Sequence, residues 1–203
     1  MKIIKPSIEC LWTTPCPLHR IELAGRTCYK SKDKITEDSA EKFVAMLIKR
    51  GHEAMLEHAS ISYRVICDRG VTHEIVRHRL FSFAQESTRY VNYNNKEMEF
   101  IDPCFWNEGK DGEDTYWDTW YYAMEYAENC YKYMIKNGCT PQQARSVLPN
   151  SLKTEIVITG NLREWRHFFK LRCAPTAHPQ MIEVANLILK DAKQRIPIVF
   201  DEY

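Results

Sequence analysis

The sequence predicts an α+β fold with a mostly antiparallel sheet. Three observations predict it: helical periodicity recurs in five segments, strand alternation in two or three, and the two kinds interleave without the strand–helix–strand rhythm of a parallel sheet. A length of 203 residues suits one domain, taken as residues 1–203.

In residues 38–50, DSAEKFVAMLIKR, the residues Phe43, Met46 and Leu47 share a helix face, Lys49 and Arg50 suit the carboxyl end of the dipole, and Gly51 stops the helix. GHEAMLEH, 51–58, reads as a polar loop or the approach to a strand beside a pocket. ASISYRVIC, 59–67, alternates, with Ile61, Tyr63 and Val65 on one face, and EFIDP, 99–103, is a further candidate strand. NEGKDGED, 107–114, is the most polar stretch and reads as a loop. Residues 114–137 place Trp117, Trp120, Tyr121, Met124, Ala127, Tyr131 and Met134 at helical spacing, and Gly138 closes them. That stripe reads as core or helix–helix contact, with oligomer contacts suggested by its aromatic character, rather than as a cofactor box. Thr140, Pro141 and Gln143 form an N-cap, a Pro at the first helical position and a capping-box Gln. LKTEIVIT, 152–159, sets Leu152, Thr154, Ile156 and Ile158 on one face. Asn161 with Glu164 resembles the Thr140 start, with Leu162, Trp165, Phe168 and Phe169 inward. Pro179 opens the last helix, whose expected buried stripe is Ile182, Ala185, Leu189 and Ala192, with Pro197 after it.

Composition bounds the function classes. Hydrophobic residues make up 44 % and charged residues 27 %, ordinary for a water-soluble domain, and the net charge is +1. Such a chain has no overall attraction for nucleic acid or an anionic membrane, so any anion binding is local. MKIIKPSIEC lacks the apolar core of a secretory signal, and no run approaches the ~20 apolar residues of a membrane span, so the compartment expected is the cytoplasm. None of the eight cysteines forms a C-x-x-C pair, which argues against a zinc ribbon or a dithiol centre; reduced, packed thiols are expected.

Two local basic islands stand out. Residues 77–89 carry Arg77, Arg79 and Arg89 against Glu86, and residues 161–172 carry Arg163, Arg166, Lys170 and Arg172 against Glu164; Arg145 lies between them. Arginine forks suit bidentate grip on phosphate or carboxylate, and surface ion pairs are the alternative. A small anion such as a nucleotide fits two islands better than a polynucleotide, which needs a wider basic stripe. No metal is expected, because His52 and His58 are six residues apart and cannot share a helix face. Nucleophiles are weak: Ser82 and Ser87 lack a G-x-S-x-G elbow, and Cys104 is followed by Phe105 where a Pro-Cys-His arrangement needs His. With no Walker loop and no G-x-G-x-x-G, a flavin or nucleotide needs another kind of cradle.

The stretch RHRLFSFAQESTRY, 77–90, fills every fixed position of R-H-R-x-x-S-x-x-x-x-S-x-R-Y, and so resembles the signature of the flavin-dependent thymidylate synthases, the thymidylate synthase-complementing family. GHEAMLEH, ARSVLP (144–149), NLREWRHFFKLR (161–172) and AHPQMIEVA are similar to further blocks of that family, in its order. The resemblance implies the family's α+β fold and reductive methylation of dUMP to dTMP, with methylene-tetrahydrofolate as carbon donor and FAD reduced by NADPH. It also implies that the flavin carries electrons and the one-carbon unit, so that no cysteine attacks the uracil ring. By position, Arg77, His78 and Arg79 are expected against FAD, with Arg77 also near the nucleotide. Gln85, Glu86, Ser87 and Arg89 are expected in the dUMP loop, Glu74 at the border of that pocket, and Arg145 reaching the nucleotide. Asn161, Arg163 and His167 are expected to touch FAD, and Arg172 to face the uracil as an electrostatic catalyst. Glu74 stands where several relatives carry Gln; an acid beside a dianionic phosphate is costly, so Glu74 is expected to face the sugar or another residue, or to be protonated. A homotetramer with sites between subunits is implied as well, with neither nucleic acid nor membrane as partner. Two rival readings are another flavin-dependent enzyme modifying pyrimidine nucleotides at C5 and, from a different class, an RNA-binding module built on the arginines and aromatics.

Overall fold

The computed structural model of the chain describes residues 1–106 and 115–203; the polar stretch 107–114 lies outside them. Its centre is a four-stranded antiparallel sheet in the order β2 (Ser7–Thr13), β3 (Ser60–Asp68), β6 (Lys153–Asn161) and β4 (Ser82–Gln85). β3 and β6 pair along their full length, from Ser60 opposite Asn161 to Asp68 opposite Lys153. A parallel pair, β1 (Lys2–Ile4) with β5 (Glu99–Ile101), lies beside it, so EFIDP does contain a strand.

One face of the sheet carries the main core. Ile61, Tyr63 and Val65 of β3 and Ile156 and Ile158 of β6 point into it, as the alternation predicts. Against them pack α1 (Pro17–Cys28), α2 (Ser39–Lys49), α6 (Leu162–Arg172) and α7 (Pro179–Arg195). The stripe of α7 is rotated from the expected one: Met181, Val184 and Ile188 join Ala185, Leu189 and Ala192 in the core, and Ile182 sits at its flank, only partly buried. The aromatic helix α4 (Tyr116–Lys136) builds a second core of Trp120, Met124 and Tyr131 with Phe100, Leu152 and Ala144.

Four elements carry no clear apolar period. α1 buries Ile21, Glu22 and Gly25, a stripe interrupted by an acid that Arg26 and Ser39 satisfy. β2 is an edge strand with Leu11 and Trp12 exposed. α3 (Arg69–Ile75) is short and starts on the Asp68 cap, whose Oδ1 accepts from the Val71 amide at 2.7 Å. β4 lies inside RHRLFSFAQESTRY, and one of its two inward positions, beside Phe83, is a glutamine, Gln85, which hides the alternation. No helix among the described residues is long and apolar enough to cross a membrane.

Candidate active site

The site is organised by the junction of β6 with α6. Asn161 ends the strand and caps the helix, its Oδ1 accepting from the Glu164 amide at 2.9 Å. The Glu164 side chain does not return to close a capping box. It turns inward, 5 % exposed, and its Oε1 lies 3.2 Å from His78 Nδ1. Two turns further on, Arg172 donates from Nε to His78 Nε2 at 3.0 Å, from one terminal nitrogen to Glu74 Oε2 at 2.7 Å, and from the other to the Glu74 carbonyl at 3.1 Å.

These distances fix the tautomer of His78. A guanidinium only donates, so Nε2 accepts; the ring proton is then on Nδ1 and is donated to Glu164. The ring is neutral, because burial first, then Arg172 and His167, lower its pKa from 6.5 to about 4. Burial raises the Glu164 carboxyl above the usual range, with the nearby His167 opposing it. His78, Glu164 and His167 bring ligand-type atoms within 4.8 Å of one another. The arrangement is nonetheless a hydrogen-bonded chain and not a cation centre: two members are bonded to each other, and a fixed guanidinium faces the other ring nitrogen.

Beside this chain opens a cleft of about 790 Å³, a size within the usual range for ligand sites. Asn161, Arg163, Glu164, Arg166, His167 and Lys170 of the β6–α6 segment line it, with Glu53 and Glu57 from the 3₁₀ helix Glu53–His58. Leu80, 75 % exposed, adds an apolar side chain at the edge. Arg163 pairs with Glu57 at 2.6 Å, and Arg166 with Glu53 at 2.9 Å and with Glu202 at 2.5 Å. The Nε of Arg166 is buried with no partner among the described residues. GHEAMLEH is a 3₁₀ turn at a pocket wall that leads directly into β3, the strand approach beside a pocket that its sequence suggests.

The remaining predicted residues form a second group. Glu86 accepts from the Tyr93 hydroxyl at 2.7 Å and from Lys153 Nζ at 3.4 Å. Ser87 Oγ accepts from the Arg89 amide at 3.3 Å, turning the chain after β4. Arg89 Nε donates to Gln142 at 3.0 Å, which sets the loop against α5 (Pro141–Ala144), the short helix that Arg145 follows at once. Gln85 faces the protein, donating to Thr72 at 3.0 Å and Thr154 at 3.3 Å. Arg77, Arg79 and Arg145 are exposed.

Glu86 and the Arg172 group lie on opposite faces of the sheet, whereas Gln85 points to the covered face and reaches Thr72 of α3 there. Ala84 and Glu86 line a shallow pocket with Lys153, Glu155 and Val157, the residues of β6 that alternate with the core-facing Ile156 and Ile158. The group around Arg172 sits on the covered face, with His78 edge-on to Phe168 of the core at 5.0 Å. Cys104 is no activated nucleophile, since burial and the nearby Glu183 push its thiol pKa up. Sequence reasoning missed Glu164 as a site residue. The cap reading accounted for its position, and its spacing of eight residues from Arg172 was the only local signal.

The profile of the family described as "Thymidylate synthase complementing protein" matches residues 10–198. A flavin-dependent thymidylate synthase of Pyrococcus abyssi is 35 % identical over 188 residues, covering 88 % of this chain and 75 % of that one. One from Geobacter sulfurreducens is 30 % identical over 200 residues, covering 95 % and 84 %. Among solved structures, a UMP/dUMP methylase from Streptomyces cacaoi bound with 5-Br dUMP superposes with a TM-score of 0.80 over 99 % of this chain and 96 % of its own, at 23 % identity, a likeness of fold. The profile spans nearly all of the sheet and both groups of site residues, and with relatives of this identity and coverage it follows that the chain belongs to the thymidylate synthase complementing protein family.

Proposed function

We propose that the protein methylates dUMP reductively to dTMP, with methylene-tetrahydrofolate giving the carbon and NADPH the electrons through FAD. The observation that carries the reading is the Arg172 guanidinium, aimed by three acceptors on Glu74 and His78 beside a large cleft lined in part by cationic side chains. A cation so fixed stabilises negative charge that develops on a uracil carbonyl when the ring is activated at C5. Glu74 faces Arg172, which answers the cost of an acid beside a phosphate.

FAD suits the cleft. Arg163, Lys170 and His167 offer donors for a pyrophosphate, Glu53, Glu57 and Glu202 share the lining with them, and Leu80 offers apolar contact to a flat ring. Asn161, Arg163 and His167 are the residues we assign to FAD there, with Arg77 and Arg79 from the segment that bears Leu80; His78, expected there as well, is buried with both ring nitrogens bonded and holds Arg172. The chemistry that bound FAD supplies is the passage of two electrons taken from NADPH. The protein's own residues bind, orient and polarise. Glu86, Ser87 and Arg89, opened by Gln85, are assigned to the dUMP phosphate and sugar, with Arg145 joining from the helix that Arg89 touches through Gln142.

A homotetramer with sites between subunits belongs to the same reading. What supports it is that Glu86 and the Arg172 group lie on opposite faces of one sheet. A second chain can bring its own Glu86–Arg89 loop to the Arg172 group of the first.

The direct test is dTMP formation by the purified protein. It is expected only when FAD, NADPH and methylene-tetrahydrofolate are all present, and a marked preference for dCMP would point instead to a different pyrimidine substrate. Arg172→Ala is expected to keep its flavin absorbance and to lower turnover by roughly a hundredfold, the usual scale for one electrostatic stabiliser. Loss of FAD from that variant would assign Arg172 to the wrong pocket.

A further inference from the structure

We propose that Glu164 is a positioning residue: by accepting the Nδ1 proton of His78 it keeps Nε2 bare, and the bare Nε2 in turn holds the Arg172 guanidinium in its aim. The inference rests on the role given to Arg172 above and extends it one residue into the core.

The geometry argues for it. His78 and Glu164 are each 5 % exposed, so water does not compete for the contact. A neutral imidazole carries one proton, and whichever ring nitrogen finds the better acceptor keeps it. With Glu164 on Nδ1, the proton stays there. Without it, the proton is free to move to Nε2, where an N–H would confront the Arg172 Nε–H. Two donors cannot bond each other, so Arg172 would lose that anchor and keep only its contacts to Glu74. The role asks for an acceptor at the end of a side chain of this length, on the first turn of α6, with its backbone held by Asn161.

The sequence position is also unusual for a structural acid. Glu164 occupies the third residue of a helix, where a carboxylate ordinarily bonds the cap's backbone amide. Here the cap bond is given up for His78. A buried carboxylate placed away from the helix end and against a histidine meets a demand of the site and not of the helix.

The test reads the tautomer directly. Ring ¹⁵N shifts of His78, in protein carrying ¹⁵N-histidine and without substrate, are expected to report Nδ1–H. In Glu164→Leu the Nε2–H form is expected to appear and the Arg172 Nε resonance to shift. In the full assay kcat is expected to fall roughly tenfold or more, with the KM for dUMP changing less. Glu164→Gln, isosteric and able to accept through its amide oxygen, is expected to keep most of the Nδ1–H form and most of the rate; that rescue separates positioning from packing. If Glu164→Leu does not fold, Glu164→Asp serves in its place: its carboxylate falls one carbon short, and the same tautomer shift is expected. An unchanged tautomer in the variant that folds overturns the proposal, as does a Gln variant as slow as the Leu variant. The NMR readout needs neither flavin nor dUMP. A tautomer shift in a protein without thymidylate synthase activity would therefore refute the proposed function while leaving the positioning of Arg172 intact.

Discussion

The charge state of His78 decides whether the Arg172 contact exists. A protonated imidazole has no acceptor, so the 3.0 Å contact from Arg172 Nε requires the neutral ring. Burial, with Arg172 and His167 adding, holds its pKa at about 4 in the folded protein, below the ordinary 6.5. Linkage gives the sign. The depressed value means that the unfolded chain takes up the proton first, so the stability His78 contributes is whole above 6.5 and is lost as the pH falls through about 4. Glu164, with a raised pKa, acts in the opposite sense and offsets part of that loss. The ring signals of His78 are therefore expected to stay constant from neutrality down to about pH 5.5 and to titrate near 4; an inflection near 6.5 would mean that the ring is solvated and the chain through Glu164 is broken. At this scale the sequence is a good guide to cations and a poor one to their supports. Arg172 stands out as one of several arginines in a neutral chain, whereas Glu164 looks like an ordinary cap partner until the fold brings His78, 86 residues away, to its side.

The elements place these residues through two close fits. Asn161 caps α6 and so sets the depth from which Glu164 reaches His78. Asn161→Ala is expected to cost about 1 kcal/mol in chemical denaturation, the usual worth of such a cap. The second fit is at Gly160, where an added Cβ would stand 2.0 Å from Cδ1 of Phe81, the residue that leads from His78 into β4. Gly160→Ala is expected to destabilise by roughly 1–3 kcal/mol through overpacking. Shrinking the obstacle with Phe81→Leu is expected to recover part of the loss in the double variant; strict additivity of the two changes would mean that the contact is not what resists the methyl group. The elements that were legible from sequence alone, α2, α4, α6 and α7 with strands β3 and β6, are those whose apolar faces meet a core directly. α1 and β4 were not, because Glu22 and Gln85 occupy inward positions and are satisfied there by partners distant in sequence, Ser39 for one and Thr72 and Thr154 for the other. A period-based reading counts such a residue as exposed, and only the folded chain shows its partner.

At the scale of the molecule, the candidate residues legible in the sequence fall on both sides of the sheet. The Arg172 group lies on the covered face of the sheet, where Gln85 also points, and Glu86 lies on the other. No periodicity encodes that separation, because it arises from the pairing of β4 with β6 and the side-chain alternation that this pairing imposes. If a nucleotide is held by the Arg172 group of one subunit and the Arg89 group of another, two defects in different chains can be avoided in one site. Arg172→Ala and Arg89→Ala proteins, each nearly inactive alone, are then unfolded together and refolded as an equal mixture. A site is intact when its first group comes from the Arg89→Ala chain and its second from the Arg172→Ala chain. Random assembly gives each condition even odds, so about a quarter of wild-type dTMP formation is expected to return. A site built within one chain predicts no recovery at any mixing ratio. Size-exclusion chromatography of the refolded mixture is the necessary control: assemblies larger than one chain with no regained activity would retire the shared site while leaving oligomerisation standing, and a monomer would retire both.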